Sequence, residues 1–407
     1  MKNNILKKIF TFISVFYILW VTFPLMGQGL HMPIQVACII VSAVVILTCP
    51  KALMNKASIW LALYLAILCI YAFAGKDLTI CIGDKSNPVK ILMEMAFILP
   101  AFSIISVCNY YNDKKITKLL FYTSVIGLGA SFLYLIPLTI TDSNILRMSM
   151  HAEELGIDPV MGAPRYALMH AYVFFAPPAL YACLVSKGKT KAFFIVLFAM
   201  LIYMILRSYI TTTIILLLGV LAAFYLRGFG SKAQLVERGV AMFVVLALLV
   251  ASGGLNVLHN SSSSFFEGSY AESKFLQLGD ALSGNVSEEN SLSERQYLHS
   301  LSIRSFIENP ITGGPQVSGH SNILDRLGGL GLVGFIPYIF LLITIWKQNA
   351  KRLRHSSKSR FVLNTGYVTV FILLYEKGLF SYEGWAFYAV ILPVAALYLS
   401  TRELVRR

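Results

Sequence analysis

The sequence predicts an all-α, polytopic membrane protein. Apolar runs of roughly 20 residues recur from one end of the chain to the other, and each is long enough to cross a bilayer as a helix. The chain is 57% hydrophobic and only 13% charged, whereas soluble domains carry roughly 25% charged residues. A transmembrane β-barrel would instead show shorter runs of alternating polarity. These observations exclude a soluble globular fold.

We predict about twelve transmembrane helices from these runs. Their predicted positions are 9–29, 33–49, 58–74, 88–107, 116–139, 165–185, 192–206, 209–226, 239–256, 328–346, 361–376 and 384–400. The first run begins like a signal peptide, but no small-residue cleavage site follows it, so it is predicted to be a retained anchor. The chain is thereby divided into a bundle of nine spans (1–256), a polar outer segment (257–327), and three spans with a basic tail (328–407).

The charge distribution predicts the orientation of the bundle. Basic residues accumulate in the cytoplasmic segments of membrane proteins, and most Lys and Arg residues of this chain lie on one side of the predicted bundle. The largest group consists of Lys347, Lys351, Arg352, Arg354, Lys358 and Arg360. Both termini are therefore predicted to be cytoplasmic and 257–327 to lie outside. The net charge of +14 is then a topology signal, and we predict the lipid bilayer, not a nucleic acid, as the partner of this charge.

A few charged residues interrupt the predicted spans or border them. Lys90 and Glu94 lie four residues apart, so they share a helix face and are predicted to pair with each other. Arg207-Ser208 separates two spans that would overshoot the bilayer as one helix, so the chain is predicted to turn there. Arg207 then lies at the outer surface, either as an anchor of the helix end or as a fixed charge lining a cavity. Arg165 lies where another outer segment, 140–164, meets its span.

The outer segment contains a predicted helix. Ser291 and Glu294 have the spacing of a capping box, and Asn309-Pro310 ends the helical pattern.

The charged residues of this helix are predicted to lie on two different faces. The residues on one face, at about 100° per residue, are Arg295, His299, Ser302 and Phe306. Arg304 follows Arg295 by nine residues and points to the opposite face. Arg295 is therefore a better candidate for a site than Arg304, which is predicted to contact solvent or lipid headgroups.

A second helix is predicted to begin directly after His320, with Ser321 or Asn322 as its cap. Glycines follow at three-residue spacing, at positions 328, 331 and 334, which allows close packing against a neighbouring element. We therefore expect His320 to be held at a helix start on the outer surface.

Several kinds of catalytic site are missing from the sequence. It has no phosphate-binding loop, no His-Glu-x-x-His metal motif and no Asp-x-Asp motif, so neither a metal nor a cofactor is predicted. What remains at the outer surface is arginine and histidine. Arginine binds phosphate through a planar fork of donors, and histidine accepts a proton near neutral pH. This combination suits a lipid-linked pyrophosphate substrate and an attacking hydroxyl group.

Two stretches resemble the motifs of the O-antigen polymerase and ligase superfamily of bacterial envelope proteins. One is Arg295 followed after fourteen residues by Pro310-Ile-Thr-Gly-Gly, and the other is GHSNILDRLGGLGLVGF at 319–335. The Arg207-Ser208 turn is also similar to an arginine position of that family. His299 departs from the pattern, because relatives often have an aromatic residue there.

The resemblance implies a GT-C-like fold and a metal-independent glycosyltransferase that acts outside the bacterial cytoplasmic membrane. Its substrate would be an undecaprenyl-pyrophosphate-linked oligosaccharide, and its partners a flippase and a chain-length regulator. Arg207 and Arg295 would hold the donor pyrophosphate, and His320 would act as general base or orient the acceptor. The residues predicted to contact substrate around them are Arg165, His299, Arg304, Asp325 and Arg326.

Three functions remain open at this point. The first is a polymerase for O-antigen or capsule, which the Asp325-containing His-Ser-Asn segment favours by resemblance. The second is an O-antigen ligase that transfers finished glycan to a lipid A core or a similar acceptor. The third is a non-enzymatic glycolipid transporter, which would have broken helices, buried charges and two related halves.

Overall fold

The computed structural model describes residues 4–23, 40, 42–44, 49–78, 86–141, 145–146, 166–208, 210–227, 291–376 and 382–404. Within these ranges every regular element is helical. The elements are α1 (Asn4–Thr22), α2 (Pro50–Leu53), α3 (Lys56–Phe73), α4 (Asn87–Tyr111), α5 (Lys114–Thr141), α6 (Tyr166–Val185), α7 (Gly188–Arg207), α8 (Thr211–Arg227), α9 (Ser291–Glu308), α10 (Asn322–Arg352), α11 (Ser357–Glu376), α12 (Tyr382–Ala386), a π-helical segment (Phe387–Ile391) and α13 (Leu392–Leu404).

Seven helices of the described ranges are long and apolar enough to cross a membrane. They are Lys56–Phe73, Asn87–Tyr111, Lys114–Thr141, Leu168–Val185, Gly188–Arg207, Asn322–Arg352 and Glu383–Thr401. The polytopic helical architecture predicted from the sequence is thus confirmed. The predicted spans at 33–49 and 239–256 lie largely or wholly outside the described residues, and the total of twelve stays a prediction.

The centre of the bundle is formed by α6 and the continuous helical stretch 382–404. Large aromatic side chains fill it, and Tyr172, Tyr367, Trp385 and Tyr388 are fully buried. Helices at the periphery instead expose apolar side chains, such as Ile70 on α3 and Phe193 on α7. Apolar side chains on an outer surface suit contact with lipid, and this arrangement supports a membrane location for the bundle.

Turns predicted from the sequence are found at their predicted places. The helix α7 ends at Arg207, and α8 begins at Thr211. The helix α9 ends at Glu308, directly before Asn309-Pro310, because proline lacks the N–H that would continue a helix. The helix α10 begins after Ser321, whose Oγ accepts a hydrogen bond from the Leu324 N–H at 3.2 Å. Ser321 is therefore the N-cap.

The helix α10 is broken at Gly331, near its N-terminal end. Gly331 has φ 60° and ψ −169°, a conformation open essentially to glycine alone. The turn after α9 fills the break, because Leu332 N donates to Pro310 O at 2.9 Å and Val333 N to Ile311 O at 3.1 Å. Backbone groups freed by a helix break must find such partners inside a bilayer. The break therefore seats the end of α9 on α10.

The glycine spacing of this segment serves close packing, as predicted. A Cβ at Gly328 would lie 2.4 Å from the Ser302 carbonyl oxygen, and one at Gly331 would lie 2.4 Å from the Ile311 carbonyl oxygen. Gly313 has φ 76° and would carry a Cβ within 2.5 Å of the Gly329 and Gly331 backbone. Backbone of the turn thus lies directly against backbone of α10, which side chains would prevent.

Candidate active site

One face of α9 carries the predicted site residues and packs against two other helices. Arg295 Nη1 lies 3.5 Å from Glu376 Oε2 at the end of α11. The His299 ring contacts the Tyr375 ring edge-on, with 5.3 Å between centroids. Ser302 is buried against α10. The predicted shared face of Arg295, His299 and Ser302 is therefore the face that docks α9 on the bundle.

Most N–H donors of the Arg295 guanidinium remain available to bind a substrate. Its side chain is 36% exposed, and Glu376 is 30% exposed. The 3.5 Å separation is too long for a strong hydrogen bond, so the carboxylate balances the charge without occupying the planar fork of donors. No other partner of the Arg295 guanidinium is found in the described part of the chain. Glu376 could not be identified from the sequence, since only the fold brings α11 to α9.

Asp325 ties α9 to the loop that carries His320. Its Oδ1 accepts from Ser302 Oγ at 2.6 Å and from Ser318 Oγ at 2.7 Å. Its Oδ2 accepts from the Ser321 backbone N–H at 3.0 Å. Asp325 is buried, and hydrogen bonds from within the protein occupy both carboxylate oxygens. In this conformation it positions the loop, a role that the predicted substrate contact did not include.

His320 lies within this braced loop, with its side chain exposed. Its backbone N–H donates to Ser318 Oγ at 3.1 Å, and Ser318 is itself bonded to Asp325. The backbone of His320 is therefore fixed at the start of α10, as predicted, while the imidazole is free to meet a substrate. The exposed imidazole and the Arg295 guanidinium belong to one braced unit formed by α9, the loop and the first turn of α10.

The other arginines predicted for the site are distributed differently. Arg304 is 77% exposed and pairs with Glu308 one turn further along α9, at 2.8 Å, on the face opposite Arg295. Arg207 is half-buried at the end of α7, with its guanidinium 5.7 Å from the Tyr203 ring centre. Arg165 lies outside the described residues. The structure thus separates Arg304 from the docked face of α9.

The predicted pairing of Lys90 with Glu94 is wrong. Lys90 Nζ lies 2.7 Å from Asp77 Oδ1, and Glu94 Oε1 lies 2.8 Å from Arg326 Nη2. The i, i+4 spacing places two side chains on one face, but a helix face that packs against other elements offers them partners from there. Glu94 is buried toward α10, whereas Lys90, nearer the helix start, reaches the preceding loop.

Arg326, predicted to contact substrate, is buried and forms an ion pair with Glu94. Its Nη1 donates to the Tyr64 hydroxyl and its Nε to Asn322 Oδ1 at 3.3 Å. Its guanidinium lies 4.2 Å from the Tyr338 ring centre. With Glu94 as counter-ion, each nitrogen of this guanidinium has a hydrogen-bond partner within the protein. It joins α3, α4 and α10 directly below the His320 loop.

Lys76 is a residue near the site that sequence reasoning missed. Its ammonium donates to the carbonyl oxygens of Thr312 and Gly313, the latter at 2.7 Å. It also lies 4.7 Å from the Tyr71 ring centre. Burial lowers the pKa of Lys76, and the carbonyl partners compensate for lost hydration. Lys76 thereby fixes the turn that fills the break in α10.

Comparison with known proteins adds no relative to this description. No family model matches the chain, and a search of curated proteins finds no match. In the described ranges, no group of three or more His, Cys, Asp or Glu side chains is placed to hold a metal ion.

Proposed function

We propose that this protein is a polysaccharide polymerase that joins undecaprenyl-pyrophosphate-linked repeat units of O-antigen or capsule. It would act at the outer face of the bacterial cytoplasmic membrane, with both termini in the cytoplasm. The observation that carries this proposal is the bracing by Asp325, which holds the Arg295 helix and the His320 loop as one unit. A cation and an exposed imidazole held in one hydrogen-bonded unit suit transfer of a glycan from a pyrophosphate donor to a hydroxyl acceptor.

The proposed reaction is a substitution at the anomeric carbon of the growing glycan. The hydroxyl oxygen of the incoming repeat unit forms a bond to this carbon as the bond from carbon to pyrophosphate oxygen breaks. Undecaprenyl pyrophosphate leaves with the electron pair, and the hydroxyl proton passes to the His320 imidazole. The charges of Arg207 and Arg295 would stabilise the leaving pyrophosphate, the task that a metal ion performs in other transferases.

A second candidate is the glycolipid transporter, since two features of the structure are common in transporters. The helix α10 is broken at Gly331, and the Arg326–Glu94 pair is buried beside the break. Transporters use broken helices and buried charges of this kind around their substrate sites. The two candidates differ in product, because only the polymerase forms a new glycosidic bond. An O-antigen ligase would form the same kind of bond on a different acceptor.

The test uses purified full-length protein with a synthetic undecaprenyl-pyrophosphate repeat unit, and measures substrate binding and product length separately. Arg295→Ala is expected to weaken donor binding and to abolish polymer, and Arg295→Lys is expected to fail as well if the two-pronged fork matters. Arg304→Ala, on the same helix but on the exposed face, is the matched control and should retain most activity. His320→Ala is expected to bind donor and to lose about 10² to 10⁴ in rate.

The outcomes separate the candidate functions. Polymer of normal length from Arg295→Ala would remove this residue from the site, and normal polymer from His320→Ala would exclude the base role. Transfer only to a lipid A core acceptor, without polymer, would identify a ligase. Movement of the lipid-linked unit across a vesicle membrane without any new bond would identify a transporter.

A further inference from the structure

A polar cavity lies at the end of α10 that is farther from the candidate active site. It has a volume of about 560 Å³. After the break at Gly331, the part of α10 from 332 to 352 extends about 30 Å at 1.5 Å per residue, which is the thickness of the hydrocarbon core of a bilayer. The cavity is therefore on the membrane side away from the candidate active site, where the sequence predicts the cytoplasm. Ends of α2, α4 and α10 form its walls.

The lining of this cavity is strongly basic. Its charged residues are Lys51, Lys351, Arg352 and Arg354, and no Asp or Glu is among the described residues that line it. The carboxylate that follows α4, Asp113, is bound to the Lys7 ammonium at 2.6 Å, and this contact lowers the pKa of Asp113. Asp113 is thus already paired with a cation outside the cavity, and among the described lining residues no carboxylate balances the four basic side chains.

Arg352 is held in position at this cavity by hydrogen bonds to neutral side chains. Its Nη1 donates to Asn109 Oδ1, and its Nη2 donates to Asn112 Oδ1 at 2.7 Å. Both partners are neutral amides that orient the guanidinium but leave its charge unbalanced. A guanidinium has five N–H donors, and no partner for the other donors is found within the described ranges. Half-buried cations of this kind are costly unless a counter-ion completes them.

We propose that this cavity binds the phosphate group of an anionic phospholipid from the cytoplasmic leaflet. Arginine forks bind phosphate oxygens in pairs, and Arg352 is held in position for such a contact. Two apolar lining residues favour a lipid over a soluble anion, because Met54 is 83% exposed and Tyr110 is 50% exposed at the same cavity. An acyl chain would cover these side chains while the headgroup enters the basic cavity.

The binding test uses purified full-length protein in neutral detergent with three probes, which are short-chain phosphatidylglycerol, short-chain phosphatidylcholine and inorganic phosphate. Phosphatidylglycerol is expected to bind and the other two to bind far more weakly. Lys351→Gln with Arg354→Gln should weaken its binding by about thirtyfold, since each basic residue near anionic lipid contributes roughly fivefold. Lys347→Gln with Arg360→Gln removes the same charge from exposed positions outside the cavity, and should change binding little.

A second variant keeps every cation and tests the site itself. Asn112→Asp places a carboxylate 2.7 Å from Arg352 Nη2, so an internal ion pair would replace the lipid phosphate. Thermal stability without lipid is expected to be retained, and phosphatidylglycerol binding to be lost. Equal weakening by the two double variants would reduce the effect to general charge and overturn the proposal. Inorganic phosphate binding as tightly as phosphatidylglycerol would assign the cavity to a soluble anion instead.

Discussion

At the scale of single residues, two Arg–Glu pairs have the same N to O distance in very different surroundings. Arg326–Glu94 and Arg304–Glu308 both have N to O distances of 2.8 Å. The first pair is 4% and 6% exposed, and the second is 77% and 55% exposed. Exposed pairs contribute little because water and salt screen them. Removing one partner of a buried pair is costly, because the other charge remains without compensation.

This contrast gives a matched prediction. Glu94→Gln is expected to destabilise the protein by about 3–5 kcal/mol, as for other broken buried pairs. Glu308→Gln makes the same chemical change and is expected to leave stability almost unchanged, because water and salt screen the exposed pair. The measurement is thermal unfolding of the purified variants in one detergent. If both variants unfold at the same temperature as the parent, Glu94 does not hold Arg326 in place.

At the scale of elements, local signals predicted helix limits well and contacts between helices poorly. Pro310 removes a backbone donor and Ser321 supplies a cap, so the end of α9 and the start of α10 could be predicted. The partner of Glu94 could not be predicted, since Arg326 is 232 residues away in the sequence. The neighbour Lys90, at i, i+4 spacing, offered a nearer partner for the carboxylate. Glycine spacing likewise predicted close packing for α10 but not the break, which needs backbone from the turn after α9.

The break in α10 can be tested with three glycines in different settings. Gly331→Ala combines a Gly-only conformation with a Cβ 2.4 Å from the Ile311 carbonyl oxygen, and is expected to abolish stable folding or, if the protein still folds, the proposed transferase activity. Gly75→Ala has φ 75° but open space, and should cost only about 1–2 kcal/mol of backbone strain. Gly129→Ala lies in α5 with open space and ordinary φ, and should be neutral or slightly stabilising.

Thermal unfolding of these three variants distinguishes the effect of backbone strain at positive φ from the effect of a steric clash of the added Cβ. If Gly331→Ala were no worse than Gly75→Ala, the close backbone contact with the turn would not matter for folding. Normal stability with lost activity for Gly331→Ala would instead show that the break serves the site more than the fold.

At the scale of the whole molecule, α10 connects two chemically different ends. The start of α10 adjoins the exposed His320 and the helix α9, which carries Arg295, and the other end of α10 lines the basic cavity around Arg352. Sequence composition predicted a helical membrane bundle, because hydropathy is a property of each segment alone. The candidate site was predicted only in part, since its bracing through Asp325 and the counter-ion Glu376 depends on how separate helices pack. Orientation in the membrane rests on charge asymmetry.

The last prediction tests this orientation by replacing two exposed serines, one at a time, with cysteine. Ser300 lies on α9 and Ser357 at the start of α11, at opposite ends of the bundle. In a background with Cys81 replaced by serine, a membrane-impermeant maleimide is expected to label Ser300→Cys in intact bacterial cells. Ser357→Cys should be labelled only after the membrane is opened, because the basic segment 347–360 is predicted to be cytoplasmic. The reverse pattern would place the Arg295–His320 unit in the cytoplasm, away from externally presented lipid-linked glycan, and would refute the proposed polymerase reaction.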